Sequence, residues 1–382
     1  MIPGIQTLLT HHASWLHDKR VALLSHQPAV ATDGTPSAEL LRSHLGSRLV
    51  ALLGPEHGYH GAALAGEHVH TSRHPHWDIP VHSLYGAHRK PTPEMLAGVD
   101  TLVCDLCDLG VRCYTYLATL KLALEACAEN NVECIVCDRP IPLPNTVDGP
   151  VALPQHDHFV APQNFPMATG MTPGETAIWL IKKDPTNPSN PTDLSDLFLR
   201  VAWMQNYTRA TPRPFTAPEF IPPSPSLRTP ESTFTYLALV FAEAFPALDI
   251  GRGTNMGFRV LAAPFINARE LIAKLDAQNL PGVRFHPHTY VTSQNAILEG
   301  VKLTVTDPDA FRPVWTSLTI LHLLGPSLWQ TPGARHDWFD TLHAGPSLRE
   351  ALMQNVPLEA LHPLCHAGHD AYLATRDEAL HY

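Results

Sequence analysis

Four apolar runs in the first half of the sequence each stop at polar residues. Ser25-His26-Gln27 closes the run 20–25, and Glu56-His57 follows the run 48–53. Asp105 and Asp108 follow the run that begins at Thr101, and Asp138-Arg139 follows the run 134–137. In an open parallel sheet, ligands bind beyond the carboxyl ends of the strands, where the loops converge at the topological switch point. A carboxylate placed there loses solvation unless it is paired or put to use. Glu56, Asp105, Asp108 and Asp138 are therefore candidates for proton chemistry in one shared crevice. The bland alternative for Asp105 and Asp108 is that they cap the helices that follow. Glu56 fits that alternative less well. It sits in Gly54-Pro55-Glu56-His57-Gly58, where flanking glycines permit a tight turn that presents one side chain.

The elements that must position these acids are legible as strands separated by helical stretches at 37–44 and 116–129. That alternation predicts βαβ units and a parallel sheet covered on both faces. From 211 to 230 the composition turns Pro-rich, with Pro212, Pro214, Pro218, Pro222, Pro223, Pro225 and Pro230, which reads as a semi-rigid connector. Beyond it, helices are expected at 233–244, 267–277, 311–324 and 347–354, and strands at 259–263 and 300–306. The fold class is α/β: a Rossmann-like parallel sheet domain over 1–210, the connector 211–230, and a smaller α/β (α+β) C-terminal domain over 231–382 that completes the cleft.

Composition narrows the function. The 382 residues carry 36 acidic and 26 basic side chains, a net charge of −10, which disfavours a nucleic-acid or membrane-surface partner. The longest apolar stretch, 234–245, contains Thr235 and Glu243 and falls short of the roughly 18 residues of a membrane span. No basic-then-apolar leader opens the sequence, and the seven cysteines do not form a secreted disulfide framework. The expected location is cytoplasmic, or exported if a leader is missing. Nucleotide cofactors are not expected, because both G-x-G-x-x-G after a strand and the P-loop pattern are lacking. Gly251-Arg252-Gly253-Thr254-Asn255-Met256-Gly257 is a near miss with an extra residue, and a G-x-S-x-G elbow is also missing.

Two residue clusters invite a metal. Cys104-x-x-Cys107 and Cys134-x-x-Cys137 have zinc spacing, yet both lie on strands, where residues three apart face opposite ways. They read as small core residues. The histidines 57, 60, 68, 70, 74, 76, 82 and 88 crowd one loop-rich span without forming H-E-x-x-H; with 24 His in the chain, such clusters arise by chance.

Gly54-Pro55-Glu56-His57-Gly58, Ala65-Gly66-Glu67, Pro80-Val81-His82-Ser83-Leu84-Tyr85-Gly86 and Pro91-Thr92-Pro93-Glu94-Met95 together resemble the bacterial exo-β-N-acetylmuramidase (NamZ-type) glycoside hydrolases. So do Asp105-x-x-Asp108-x-Gly110-x-Arg112-x-Tyr114-Thr115-Tyr116, Asp138-Arg139-Pro140, Gly170-Met171-Thr172-x-Gly174-Glu175, Pro222-Pro223-Ser224-Pro225, Gly251-Arg252-Gly253-Thr254 and Asp307-x-x-Ala310-Phe311-Arg312-Pro313. The likeness runs in order along nearly the whole chain. It departs at Ala168-Thr169, where many members carry a basic or aromatic residue before Gly-Met-Thr.

The resemblance implies release of N-acetylmuramic acid from non-reducing ends of peptidoglycan chains or fragments, and it places the catalytic glutamate on Glu56. Glycoside hydrolysis needs a proton donor and a second group to manage the oxocarbenium-like charge. Asp105 leads for the second role, with Asp108, Glu67 and the substrate's own 2-acetamido group as alternatives. The matching motifs carry His57, Glu67, Asp108, Arg112, Tyr114, Tyr116, Asp138, Arg139, Ser224 and Arg252 into the expected substrate-binding set. Among these, Arg112, Arg139 and Arg252 are candidates to hold the lactyl carboxylate, since the planar fork of Arg suits it; each is equally open to a structural pairing with the strand-end acids. Tyr114 and Tyr116 either stack on sugar or fill the core. The expected set contains no metal. The rival readings are a metal-dependent hydrolase that uses the histidine-rich loops and a non-catalytic muramyl-sugar-binding protein.

Overall fold

The computed structural model describes residues 1–61, 63, 64, 66–182, 194, 196–210 and 220–382. The first nine residues of the connector's Pro-rich run, 211–219, and Ala65 of the Ala-Gly-Glu motif lie outside them. Seven strands build the larger sheet: β1 (Val21–Ser25), β2 (Leu49–Gly54), β3 (Ser72–Arg73), β4 (Pro80–Ser83), β5 (Thr101–Asp105), β6 (Glu133–Cys137) and β7 (Leu199–Ala202). Their order is β3-β4-β2-β1-β5-β6-β7, and β3, at the edge, pairs antiparallel with β4. The other pairings are parallel. The six parallel strands thus follow the doubly wound order, which reverses between β1 and β5, with Ser25 level with Asp105.

Alternation along these strands separates two cores. Leu24, Leu102, Cys104, Cys134 and Val136 face one side, whereas Leu23, Val103, Ile135 and Cys137 face the other. Both faces are apolar because both are covered. Helices α1 (Gly4–His11) and α2 (Ser37–Leu45) supply Ile5, Leu8, Leu41 and Leu45 to the second side. Helices α3 (Tyr116–Glu129) and α4 (Pro173–Lys182) supply Leu117, Leu124, Ala177 and Leu180 to the first. Cys134 and Cys137 therefore point into different cores, as residues three apart on a strand must.

The second sheet is antiparallel, β8 (Val260–Leu261), β9 (Val283–Val291) and β10 (Ile297–Val305), in the order β8-β10-β9. Helices α5 (Pro230–Leu239), α6 (Ala268–Asp276) and α7 (Pro313–Leu324) pack with it and with each other. The helix expected at 233–244 begins earlier and tightens into a 3-10 turn over Val240–Ala244. Pro230 sits at the first helical position, where its fixed φ suits the start, and Ser232 Oγ folds back to donate to the Thr229 carbonyl. Further short helices follow: α8 (His336–His343), α9 (Ser347–Met353), α10 (His362–Cys365) and α11 (His369–Arg376). One apolar cluster extends from Ala22 to Ala379 and includes residues beneath both sheets.

Candidate active site

At the end of β2 the chain folds back on itself. A Cβ on Gly54 would lie 2.3 Å from the Tyr59 amide nitrogen, so only glycine allows this closure. His57 and Gly58 both take positive φ, 70° and 76°, and the Gly58 amide donates to the Pro55 carbonyl at 2.9 Å. A histidine in the left-handed region stores strain of the kind that collects at working sites. The turn delivers Glu56, 9% exposed, to the start of α3. There Thr115 Oγ1 donates to Glu56 Oε2 at 2.7 Å, and the Gly66 amide donates to Oε1 at 3.0 Å. Tyr116 Oη donates to the Glu56 carbonyl at 3.3 Å. Burial pushes the Tyr85 phenol up in pKa, and the neighbouring Glu56 carboxylate adds to that.

The other strand-end acids have different surroundings. Asp105 is fully buried, and Arg139 grips both its oxygens, Nε to Oδ1 at 2.6 Å and Nη2 to Oδ2 at 2.8 Å. Arg139 also donates to the Val30 carbonyl and Ser37 Oγ. Asp138 is fully buried too: it accepts from the Gly174 amide at the start of α4, from Thr172 Oγ1 and from Tyr382 Oη, and burial pushes its pKa up to about 7. Among the described residues, Asp108 has no cationic hydrogen-bond partner. Its Oδ1 accepts from the Leu109 amide at 2.6 Å, and burial raises its pKa to about 7.

The remaining expected residues divide. Arg112 is fully buried and donates to the carbonyls of Pro150, Phe165 and Leu342, each at 2.7 Å; burial lowers its pKa to about 9. Tyr114 donates to the Pro223 carbonyl and packs edge-on to Tyr116, with ring centres 4.8 Å apart. Both rings are core, with their hydroxyls turned toward the rim. His57 pairs through Nδ1 with the Ala63 carbonyl. Glu67 is exposed and accepts from the Leu64 amide. Ser224 lines a crevice of about 460 Å³ together with His26, Gly61, Tyr116, Pro223 and Arg228, beyond the end of β1. Arg252 meets Glu243 at 2.8 Å.

Four groups around Glu56 had no role in the sequence reading: Thr115, Tyr85, His26 and Glu243. Thr115 and Tyr85 lay inside quoted motifs, and His26 was noted as a strand-end residue. His26 Nε2 accepts from the Cys107 amide at 2.8 Å, and burial drives its pKa to about 3, so the ring is neutral with its proton on Nδ1. Glu243 was visible only as a charge inside the apolar stretch 234–245. Burial raises its pKa, Arg252 and Arg335 oppose that, and Glu56 adds to it, which places the two acids within each other's field.

A cavity of about 530 Å³ lies elsewhere, walled by Val151, Trp179, His343, Leu348, Leu364 and Tyr372, and none of the strand-end acids is among its described lining residues. Among the described residues, the trio whose ligand atoms could converge on a metal is Asp148, Cys365 and His366, none of them in the histidine-rich span. Asp148 there accepts from the Gly149 and Val314 amides, which accounts for it as a tie to the start of α7.

Carboxyl groups at the carboxyl ends of the strands of a doubly wound sheet are the setting of an α/β enzyme site. The chain belongs to the exo-β-N-acetylmuramidase NamZ family: residues 21–231 match the model of its N-terminal part and 234–382 that of its C-terminal part. The Bacillus subtilis (strain 168) protein named peptidoglycan beta-N-acetylmuramidase NamZ is 38% identical over 323 residues, 83% of this chain and 76% of that protein. A crystal structure of a DUF1343 family protein from Bacteroides fragilis matches with a TM-score of 0.88 at 29% identity, covering 100% of this chain and 98% of that one. A second B. fragilis DUF1343 structure, at 22% identity and a TM-score of 0.76 over 100% of this chain and 98% of that one, shares the fold.

Proposed function

We propose that this protein is an exo-acting β-N-acetylmuramidase that releases N-acetylmuramic acid from the non-reducing ends of peptidoglycan chains or fragments, with Glu56 as general acid/base. The observation that carries the reading is the Glu56 carboxyl, delivered by a glycine-gated turn and fixed by Thr115 and Gly66 at the sheet's rim. In hydrolysis Glu56 gives its proton to the leaving glycosidic oxygen as the C–O bond breaks, then takes one from the water that replaces it.

Asp105 is the partner that the sequence put first, but its oxygens are both taken by Arg139; this reading assigns it to holding that guanidinium. The charge developing at the anomeric carbon then falls to Asp108 or to the substrate's 2-acetamido group. The division into a catalytic unit over 1–210, a connector to 230 and a C-terminal unit that completes the cleft is part of the proposal, supported by the family boundary between 231 and 234. Seven unpaired thiols, six of them buried, support a reducing, cytoplasmic location, and the net charge of −10 speaks against nucleic acid as a partner. Among the described residues no helix is long and apolar enough to cross a membrane.

The test is Glu56→Gln assayed on a chromogenic N-acetylmuramide. Turnover is expected to fall about 10²–10⁴-fold, the usual worth of a general acid, with the melting temperature little changed. Near-wild-type turnover removes Glu56 from the role.

A further inference from the structure

We propose that Arg252 binds the lactyl carboxylate of the substrate and that Glu243 is the positioning residue that aims it; this rests on the muramidase reading above. The three candidate arginines are not equivalent. Arg112 has no exposed surface and spends both terminal nitrogens on backbone carbonyls. Arg139 spends its nitrogens on Asp105, Val30 and Ser37. The Arg252 side chain is 41% exposed, and its salt bridge engages Nη1 with Glu243 Oε1 at 2.8 Å. That contact fixes the plane of the guanidinium and leaves the edge carrying Nη2 for a second carboxylate, which a bidentate partner prefers.

The backbone presents Arg252 much as it presents Glu56. Gly251 has φ 71°, and a Cβ there would lie 2.4 Å from the Met256 carbonyl oxygen, so the turn that carries Arg252 is closed as tightly as the one after Gly54. A buried aromatic ladder ties the two turns together. Tyr116, whose hydroxyl meets the Glu56 carbonyl, packs on Tyr114 at 4.8 Å; Tyr114 packs on Tyr236 at 5.7 Å; Tyr236 packs on Phe258 at 4.8 Å. Phe258 in turn carries the Arg252 guanidinium 5.9 Å over its ring. The acid and the cation are thus linked by one run of packed rings that passes from the first half of the chain to the second. Glu243, which meets Arg252 at 2.8 Å, also lies within the field of Glu56, so the cation stands on the acid's side of the molecule; glucosaminides lack the carboxylate it would hold.

The experiment compares chromogenic N-acetylmuramide and N-acetylglucosaminide on the wild type, Arg252→Gln, Glu243→Gln and the double variant. For Arg252→Gln, kcat/KM for the muramide is expected to fall about 10–100-fold, chiefly in KM, the worth of a charge-assisted hydrogen-bonded pair, so that the preference between sugars collapses. Glu243→Gln should lose about 5–10-fold in the same direction, because it removes the brace and not the contact. The double variant should fall no lower than Arg252→Gln, since Glu243 acts through Arg252. Glu243→Asp is expected to restore part of the loss, and thermal melts separate this from misfolding. Equal losses on both sugars, additive losses, or a preference that survives in Arg252→Gln overturn the proposal. Calorimetric binding of free N-acetylmuramic acid against N-acetylglucosamine keeps the two readings apart. A wild type that prefers the acid without turning over glycosides, with the preference lost in Arg252→Gln, sinks the enzyme reading and keeps the clamp.

Discussion

Two residues separate Asp105, bridged on both oxygens by Arg139, from Asp108, whose Oδ1 accepts from the Leu109 amide. The strand-end rule picks out both and cannot rank them, because the cation that claims Asp105 arrives from 34 residues away. Without such a partner, burial raises the Asp108 carboxyl to about 7. The folded state then holds that proton more tightly than the unfolded chain, where an aspartate titrates near 4. Its stabilising contribution is complete below about pH 4 and is lost as pH rises toward 7. Asp138 has the same sign. Asp108→Asn removes the titration while keeping an oxygen for the Leu109 amide. We expect its stability to match the wild type near pH 4 and to exceed it at pH 8 by on the order of 1–3 kcal/mol, read as a higher melting temperature. A difference that does not change with pH argues that Asp108 is not held neutral by burial. The activity of the same variant separates the two candidates for the second catalytic role: a large loss favours Asp108, and a small one favours the 2-acetamido group.

At the scale of elements, the proposed site depends on the turn after β2, and one glycine closes that turn. Gly54→Ala sets a methyl 2.3 Å from the Tyr59 amide nitrogen, where backbone, not a flexible side chain, must give way. We expect a cost on the order of 1–3 kcal/mol, the range for overpacking, and a fall in turnover well beyond that explained by unfolding, because Glu56 moves with the turn. Gly46→Ala is the control: its φ of 59° also disfavours a side chain, but the space around it is open. It should cost about 1 kcal/mol and spare activity. If both variants keep full activity, the turn does not aim Glu56. Legibility varied with pattern strength. Helix α3 was read at its observed ends, 116–129, because a long Leu- and Ala-rich stretch without proline has one reading. Strand β9 was missed, since Arg284, His286, Pro287 and His288 hide its alternation. Those residues are tolerable because β9 is an edge strand, and proline is admitted there. Glu243 had no role for a related reason: although Arg252 stands nine residues on, the acid whose field it feels, Glu56, comes from the other half of the chain, and no local spacing announces that.

At the scale of the whole molecule, the question is what holds the second half in register with the first, since Glu56 and Arg252 come from different halves. The continuous apolar cluster supplies cohesion without direction. Direction comes from Arg112, which joins the carbonyls of Pro150 and Phe165 on one side to that of Leu342, in α8, on the other. A buried guanidinium answered by three carbonyls and by no carboxylate among its hydrogen bonds is held by geometry alone, and a Lys ammonium cannot reproduce the fork. Arg112→Lys is therefore expected to lower stability by about 3 kcal/mol, the lower end for breaking a buried charged network, and the melting temperature with it. Its ratio of muramide to glucosaminide turnover should stay within about twofold of the wild type, because on this account Arg112 touches no substrate and sets only how the halves meet. The outcome for Arg252→Gln is the reverse: discrimination lost and the melt little moved. If Arg112→Lys instead abolishes discrimination at an unchanged melting temperature, then the lactyl clamp is Arg112, and the cleft closes differently from the arrangement described here.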